Sequence, residues 1–113
     1  MTPSQAYVTW ARLELAAGAE LDAPGAAVTI ELCGSTEHEP PCRWPHNNDY
    51  ADGVFRTLFA APPEQEAEVR RRIEDALRGS PVVTVLETGS RDLLEEERDL
   101  AGRLCALPRR DAA

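Results

Sequence analysis

The segment 62–79, Pro-Pro-Glu-Gln-Glu-Ala-Glu-Val-Arg-Arg-Arg-Ile-Glu-Asp-Ala-Leu-Arg-Gly, restricts the fold more than any other part of the chain. Proline suits a first helical turn, where its missing N–H would have no intrahelical partner. Glu64, Glu66 and Glu68 sit toward the N-terminus, and Arg70, Arg71, Arg72 and Arg78 toward the C-terminus. That order suits the helix dipole. Glu66–Arg70, Glu68–Arg72 and Glu74–Arg78 are i,i+4 pairs in the better orientation. Val69, Ile73, Ala76 and Leu77 fall on one stripe, and Gly79 fits the position just past the last turn. A helix with one apolar stripe has to be covered, so the flanking segments must supply a sheet.

They read as strands. Over 7–15, Tyr7, Thr9, Ala11, Leu13 and Leu15 alternate with Val8, Trp10, Arg12 and Glu14; a helix is the competitor, because Ala and Leu are good helix formers. Asp22-Ala23-Pro24-Gly25 is turn chemistry. Over 28–33, Val28, Ile30 and Leu32 form an apolar face, with Thr29, Glu31 and Cys33 on the other. A third strand covers 54–60, and a mostly apolar fourth, 82–87, reads as central. Ser90 is placed to cap a second helix whose buried face is Leu93, Leu94, Leu100, Ala101, Leu104 and Leu107. Pro108 ends it, and 109–113 reads as a frayed tail.

The order is β-β-β-α-β-α, with no internal repeat and no linker. The expected fold is a single α+β domain over 1–113: a two-layer sandwich with a four-stranded mixed sheet and both helices on one face. The strands at 54–60 and 82–87 join through the helix as a βαβ unit, parallel or nearly so. Aromatics make up only 5% of the chain, so Leu, Val, Ile and Ala must fill the core.

The net charge of −8 argues against a nucleic-acid partner, which would need Lys and Arg to neutralise phosphates. Every basic residue is Arg, which excludes a Schiff-base or phosphate-loop lysine and points to a GC-rich bacterial genome. No apolar run approaches the roughly 18 residues of a membrane span. The first residues lack a basic, then apolar, leader, so the expected location is the cytoplasm.

The chemistry gathers in 33–49, which holds both histidines, His38 and His46, with Cys33, Cys42 and Trp44. The surrounding 34–53, rich in Pro, Gly, Asn and Asp, reads as a long loop, and loops of that length are usually functional or disordered. Cys33, His38, Cys42 and His46 follow one another at intervals of four and three residues, and two thiolates with two imidazoles make a tetrahedral zinc set. The plainer alternatives are packed thiols, or a Cys33–Cys42 disulfide or redox switch, with a solvated His38 between Glu37 and Glu39 and His46 in a turn.

A second reading is a metal-free site, with Arg43, Trp44 and Asn47 contacting a small molecule or protein partner, and His46, Asn48 and Asp49 beside them. A third is an enzyme using Cys42 as nucleophile and His46 as base, or a metal-bound water, with Glu37, Glu39 or Asp49 orienting the imidazole. A fourth is a homodimeric module using the open sheet face, which an exposed Tyr7 or Trp10 would support. The reading carried forward is a small soluble binding or accessory protein centred on 33–49.

Overall fold

The alternation at the start of the chain becomes β1 (Gln5–Leu15), the strand on which the sheet is built. A computed structural model describes residues 3–34 and 42–109. In it β1 pairs on one side with β3 (Val54–Ala61) and on the other with β4 (Val83–Arg91). β2 (His46–Ala51) pairs with β3, so the sheet runs β2-β3-β1-β4. The helices are α1 (Ala23–Cys33), α2 (Glu66–Gly79) and α3 (Arg98–Ala106). β1-α1-β2 and β3-α2-β4 each skip over one strand, which is the split-βαβ, ferredoxin-like arrangement, followed here by α3.

The α+β class and the four-stranded sheet agree with the sequence reading; several details differ. The sheet is antiparallel at all three pairings rather than mixed. β3 and β4 do run in the same direction around α2, as the βαβ expectation has it, but β1 lies between them. The segment 28–33 is the end of α1, not a strand. Its buried residues Pro24, Val28, Thr29, Leu32 and Cys33 recur at helical spacing, and Ile30, which completed the apparent alternation, is 45% exposed. Asp22-Ala23-Pro24-Gly25 starts this helix instead of turning the chain, with Pro in the first turn and Gly34 as a left-handed C-cap whose N–H donates to the Ile30 carbonyl at 2.8 Å.

The expected loop 34–53 contains β2. Asp52 and Gly53, at φ 54° and 79°, form the tight turn between β2 and β3. Two positive φ values in a two-residue connection match the twist of a hairpin. Ser90 does not cap a helix either; β4 continues through it to Arg91, and a 3-10 turn at Glu95–Glu97 leads into α3. Of the expected tail 109–113, residues 110–113 lie outside the described residues.

Period two sorts the side chains. Ala11, Leu13, Phe55, Phe59 and Ala61 meet Val28 and Leu32 of α1 and Val69, Ile73 and Leu77 of α2 in one core. On the opposite face Val8, Leu58 and Ala60 meet Ala101 and Leu104 of α3. The two helices expected on one face, α2 and α3, thus lie on opposite faces, and the companion of α2 is α1. The three expected ion pairs of α2 form at 2.8, 2.9 and 3.0 Å.

α3 is fastened by charge. Glu97 is 7% exposed; its carboxylate accepts from Arg91 at 2.8 and 3.1 Å, from the Leu94 N–H at 2.9 Å, and pairs with Arg56 at 3.4 Å. Arg91 hydrogen bonding outweighs the cost of burial and holds this carboxyl at about 2, against an ordinary 4.5. Because the folded-state value is depressed, the contribution is complete above the unfolded value and is lost as pH falls from about 4.5 to about 2. Glu97→Gln should therefore flatten the acid limb of a stability–pH curve in that window and cost on the order of 2 kcal/mol at neutral pH in urea unfolding.

Trp10 lies on the part of the α3 side that holds Arg12 and Glu14, against Gly89 across the β1–β4 pairing. A Cβ at Gly89 would stand 2.6 Å from Trp10 Cζ2, so only glycine lets the indole lie flat there. Gly89→Ala should cost about 1–2 kcal/mol in urea unfolding, and most of that cost should vanish in a Trp10→Ala background.

Candidate functional site

Chain order brings the end of α1 and the start of β2 to the same corner, and there Cys33 and Cys42 are joined as a disulfide. Both are buried. Sulfurs bonded to each other offer no thiolate pair to a metal and no nucleophile to a substrate, so the zinc and Cys42–His46 readings do not apply to this oxidised state. His38, the other proposed ligand from this segment, lies outside the described residues, as do Glu37 and Glu39. Among the described residues no group of three or more His, Cys, Asp or Glu is placed to share an ion.

Trp44 is 1% exposed, within the core that α1 and α2 cover. Its indole N–H donates to Gln65 Oε1 at 2.8 Å, and the guanidiniums of Arg43 and Arg72 lie over its ring at 4.4 and 5.2 Å. Trp44 therefore anchors the segment and presents no free surface to a ligand, contrary to the role expected for it. Asn47 is also engaged elsewhere: its side-chain and main-chain oxygens each accept from Arg56 at 3.0 Å, on the α3 side. The structure thus keeps Arg43 with Trp44 and separates Asn47 from both.

His46 is neither a turn residue nor exposed. Its position opposite Phe59 in the β2–β3 pairing turns it toward α1, where it is 5% exposed. Nδ1 lies 3.0 Å from the Trp44 carbonyl, and Nε2 lies 3.1 Å from Thr29 Oγ1. The carbonyl can only accept, which assigns the proton to Nδ1 and leaves Nε2 to accept from the Thr29 hydroxyl. Asn48 Nδ2 then donates to Thr29 Oγ1 and the Gly25 carbonyl, each at 3.2 Å, and Thr57 Oγ1 donates to Asn48 Oδ1 at 2.9 Å. The chain Thr57, Asn48, Thr29, His46 and the Trp44 carbonyl satisfies polar groups that would each be costly to bury alone.

This network forms the wall of a cleft of about 500 Å³ between the N-terminal half of α1 and β2. Asp22, Gly25, Ala26 and Thr29 line one side and Asn48, Asp49 and Tyr50 the other, with Leu21 and Phe55 adding apolar surface. The Asp22 side chain makes no capping bond. The Asp22 carboxylate outweighs the roughly half a positive charge of a helix N-terminus, so the cleft favours a cation over an anion. Asp49 borders the cleft from β2 but alternates onto the face of Asn47 and Arg56. Of the residues first singled out, Asn48 and Asp49 are the ones that reach it. Asp22, Gly25 and Thr29 were missed because α1 was read as a turn and a strand, and Tyr50 because β2 was read as part of a loop. Asp52-Gly53, the usual hairpin signal, was the clue to β2 and hence to the side on which Asn48 and Tyr50 lie.

No protein-family model, no curated protein and no solved structure matches this chain.

The bridge makes a direct prediction. Unfolded without reductant, the chain should titrate one thiol, Cys105, and after reduction three. Cys33→Ser should cost roughly 2–3 kcal/mol by the chain-entropy argument for so short a closed ring, read as a lower denaturant midpoint.

Proposed function

We propose that this chain is a small binding domain whose ligand, a small molecule or side chain with a cationic head and an apolar body, enters the cleft between α1 and β2. One observation carries the reading: Asp22, Asp49, Tyr50 and Phe55 line one concave site whose wall, through Asn48 and Thr29, is fixed by buried hydrogen bonds. A preformed concave surface that combines apolar side chains with fixed polar groups is what small-ligand sites consist of. The stretch 33–49 is the support of this site: the disulfide, Trp44 and His46 hold β2 against α1, and Asn48 faces the ligand. Binding is favoured over catalysis because Cys42 is oxidised and His46 is occupied by Thr29 and the Trp44 carbonyl.

Among the described residues no helix is long and apolar enough to cross a membrane. We place the working chain in the cytoplasm. There a disulfide is transient and tied to redox state rather than permanent. Coordination of zinc by Cys33, His38, Cys42 and His46 belongs, on this reading, to the reduced chain alone.

Benzylammonium, with benzoate as the charge-reversed control, tests the reading by amide chemical shifts. Saturable shifts confined to Gly25, Thr29, Asn48, Asp49 and Tyr50, with a Kd on the order of 1 mM, are expected for so small a probe. Asp22 is exposed, so Asp22→Asn should weaken binding by no more than about fivefold, while Asp49→Asn, on the opposite face of β2, should leave it nearly unchanged. Diffuse shifts, or equal responses to benzoate, would sink the proposal.

A further inference from the structure

The two walls of the cleft are joined in an uneven way. Polar links between α1 and β2 include Thr29 to His46, and Asn48 to Gly25 and Thr29, at 3.1–3.2 Å. Beyond the end of β2, the Trp44 N–H reaches the Leu32 carbonyl at 3.3 Å. Against α2 the attachment is different in kind. Val28 and Leu32 share a core with Val69, Ile73 and Leu77 that also takes in Phe55 and Phe59 of β3 and reaches β2 at the partly buried Tyr50, and Glu31 pairs with Arg72 at 2.9 Å. α1 can therefore stay packed on α2 while its distance from β2, an edge strand, changes. Cys33 ends α1 and Cys42 stands before β2, so the disulfide closes the end of the wedge opposite the cleft.

We infer that the thiol–disulfide state of Cys33 and Cys42 controls the cleft: the bridged form holds β2 and α1 at binding distance, and the dithiol form releases them. This rests on the binding reading above. The electrons come from a dithiol reductant. One of its thiolates attacks a cystine sulfur, the other cystine sulfur leaves as a thiolate, and the reductant's second thiolate displaces the first cysteine as its own disulfide closes. Two protons then restore both cysteines as thiols. At 2% and 5% exposure the sulfurs are shielded, so exchange waits on local opening of the lead-in to β2.

The test uses the full chain carrying Cys105→Ser, so that only this couple titrates, compared before and after reduction with excess dithiothreitol. Amide hydrogen exchange is followed at Val28, Thr29 and Leu32 of α1 and at Val69, Ile73 and Leu77 of α2, together with benzylammonium binding. Reduction should accelerate exchange in α1 by about tenfold while α2 is unchanged, weaken the probe by about threefold or more, and reverse on reoxidation. Unchanged α1 exchange overturns the inference. Equal acceleration in α1 and α2 also overturns it, since the bridge would then be a global staple. Accelerated α1 exchange with unchanged affinity overturns the control of binding. Accelerated α1 exchange with no probe binding in either state removes the binding reading and leaves the movable wedge standing. The Cys33→Ser/Cys42→Ser variant repeats the comparison without reductant, and the reduced parent decides the matter if that variant does not fold.

Discussion

The fold depends on two-sided hydrogen bonding along β1. Its residues pair with β3 over Gln5 to Arg12 and with β4 over Val8 to Leu15, so the middle of the strand has a ladder on each side. Both faces of this strand contribute to packing, the second only in part, since Arg12 and Glu14 on it are exposed. The alternation of β1 divides that packing: Ala11 and Leu13 go under α1 and α2, and Val8 goes under α3. Once β1 occupies the middle, β2 and β4 are left as edges, and the cleft forms where α1 overhangs one of those edges.

The stretch that first drew attention for its chemistry proves to be mostly structural support. Trp44 supplies one of the largest fully buried side chains of a core poor in aromatics. His46 takes its place by bonding Thr29 and the Trp44 carbonyl through its two ring nitrogens. On the other face Arg56 and Arg91 close around Glu97. Polar groups thus fix the placement of α1 and α3 at the margins of two apolar contacts, where misplacement would leave a buried donor or acceptor without a partner.

What could be read in the sequence follows from where the local signals agree. In α2, the apolar stripe, the charge order and the i,i+4 pairs all agree, and its ion pairs form as the spacing requires. In α1 two signals conflict. Val28, Ile30 and Leu32 alternate like a strand, yet Val28 and Leu32 alone are buried, and Pro24 with Gly34 marks the two ends of a helix. The sequence reading ends the fourth strand at 87, short of Gly89, whose missing side chain accommodates Trp10 from the neighbouring strand, a demand no local window contains. The cleft was hardest to foresee because Asp22 and Asp49 come from elements far apart in sequence. Only the antiparallel placement of β2 beside β3, under α1, brings them to one site.

The bridge between Cys33 and Cys42 also changes what a break in the chain would mean. A peptide bond cut anywhere between these two cysteines would not yield separate pieces. The part bearing β1 and α1 would remain covalently tied to the part bearing β2, β3 and β4, and new chain ends would arise at that corner with the sheet order intact. The molecule is, in connectivity, a chain with a small closed ring set into it. Such a nicked form would come apart only when reducing agent and denaturant act together.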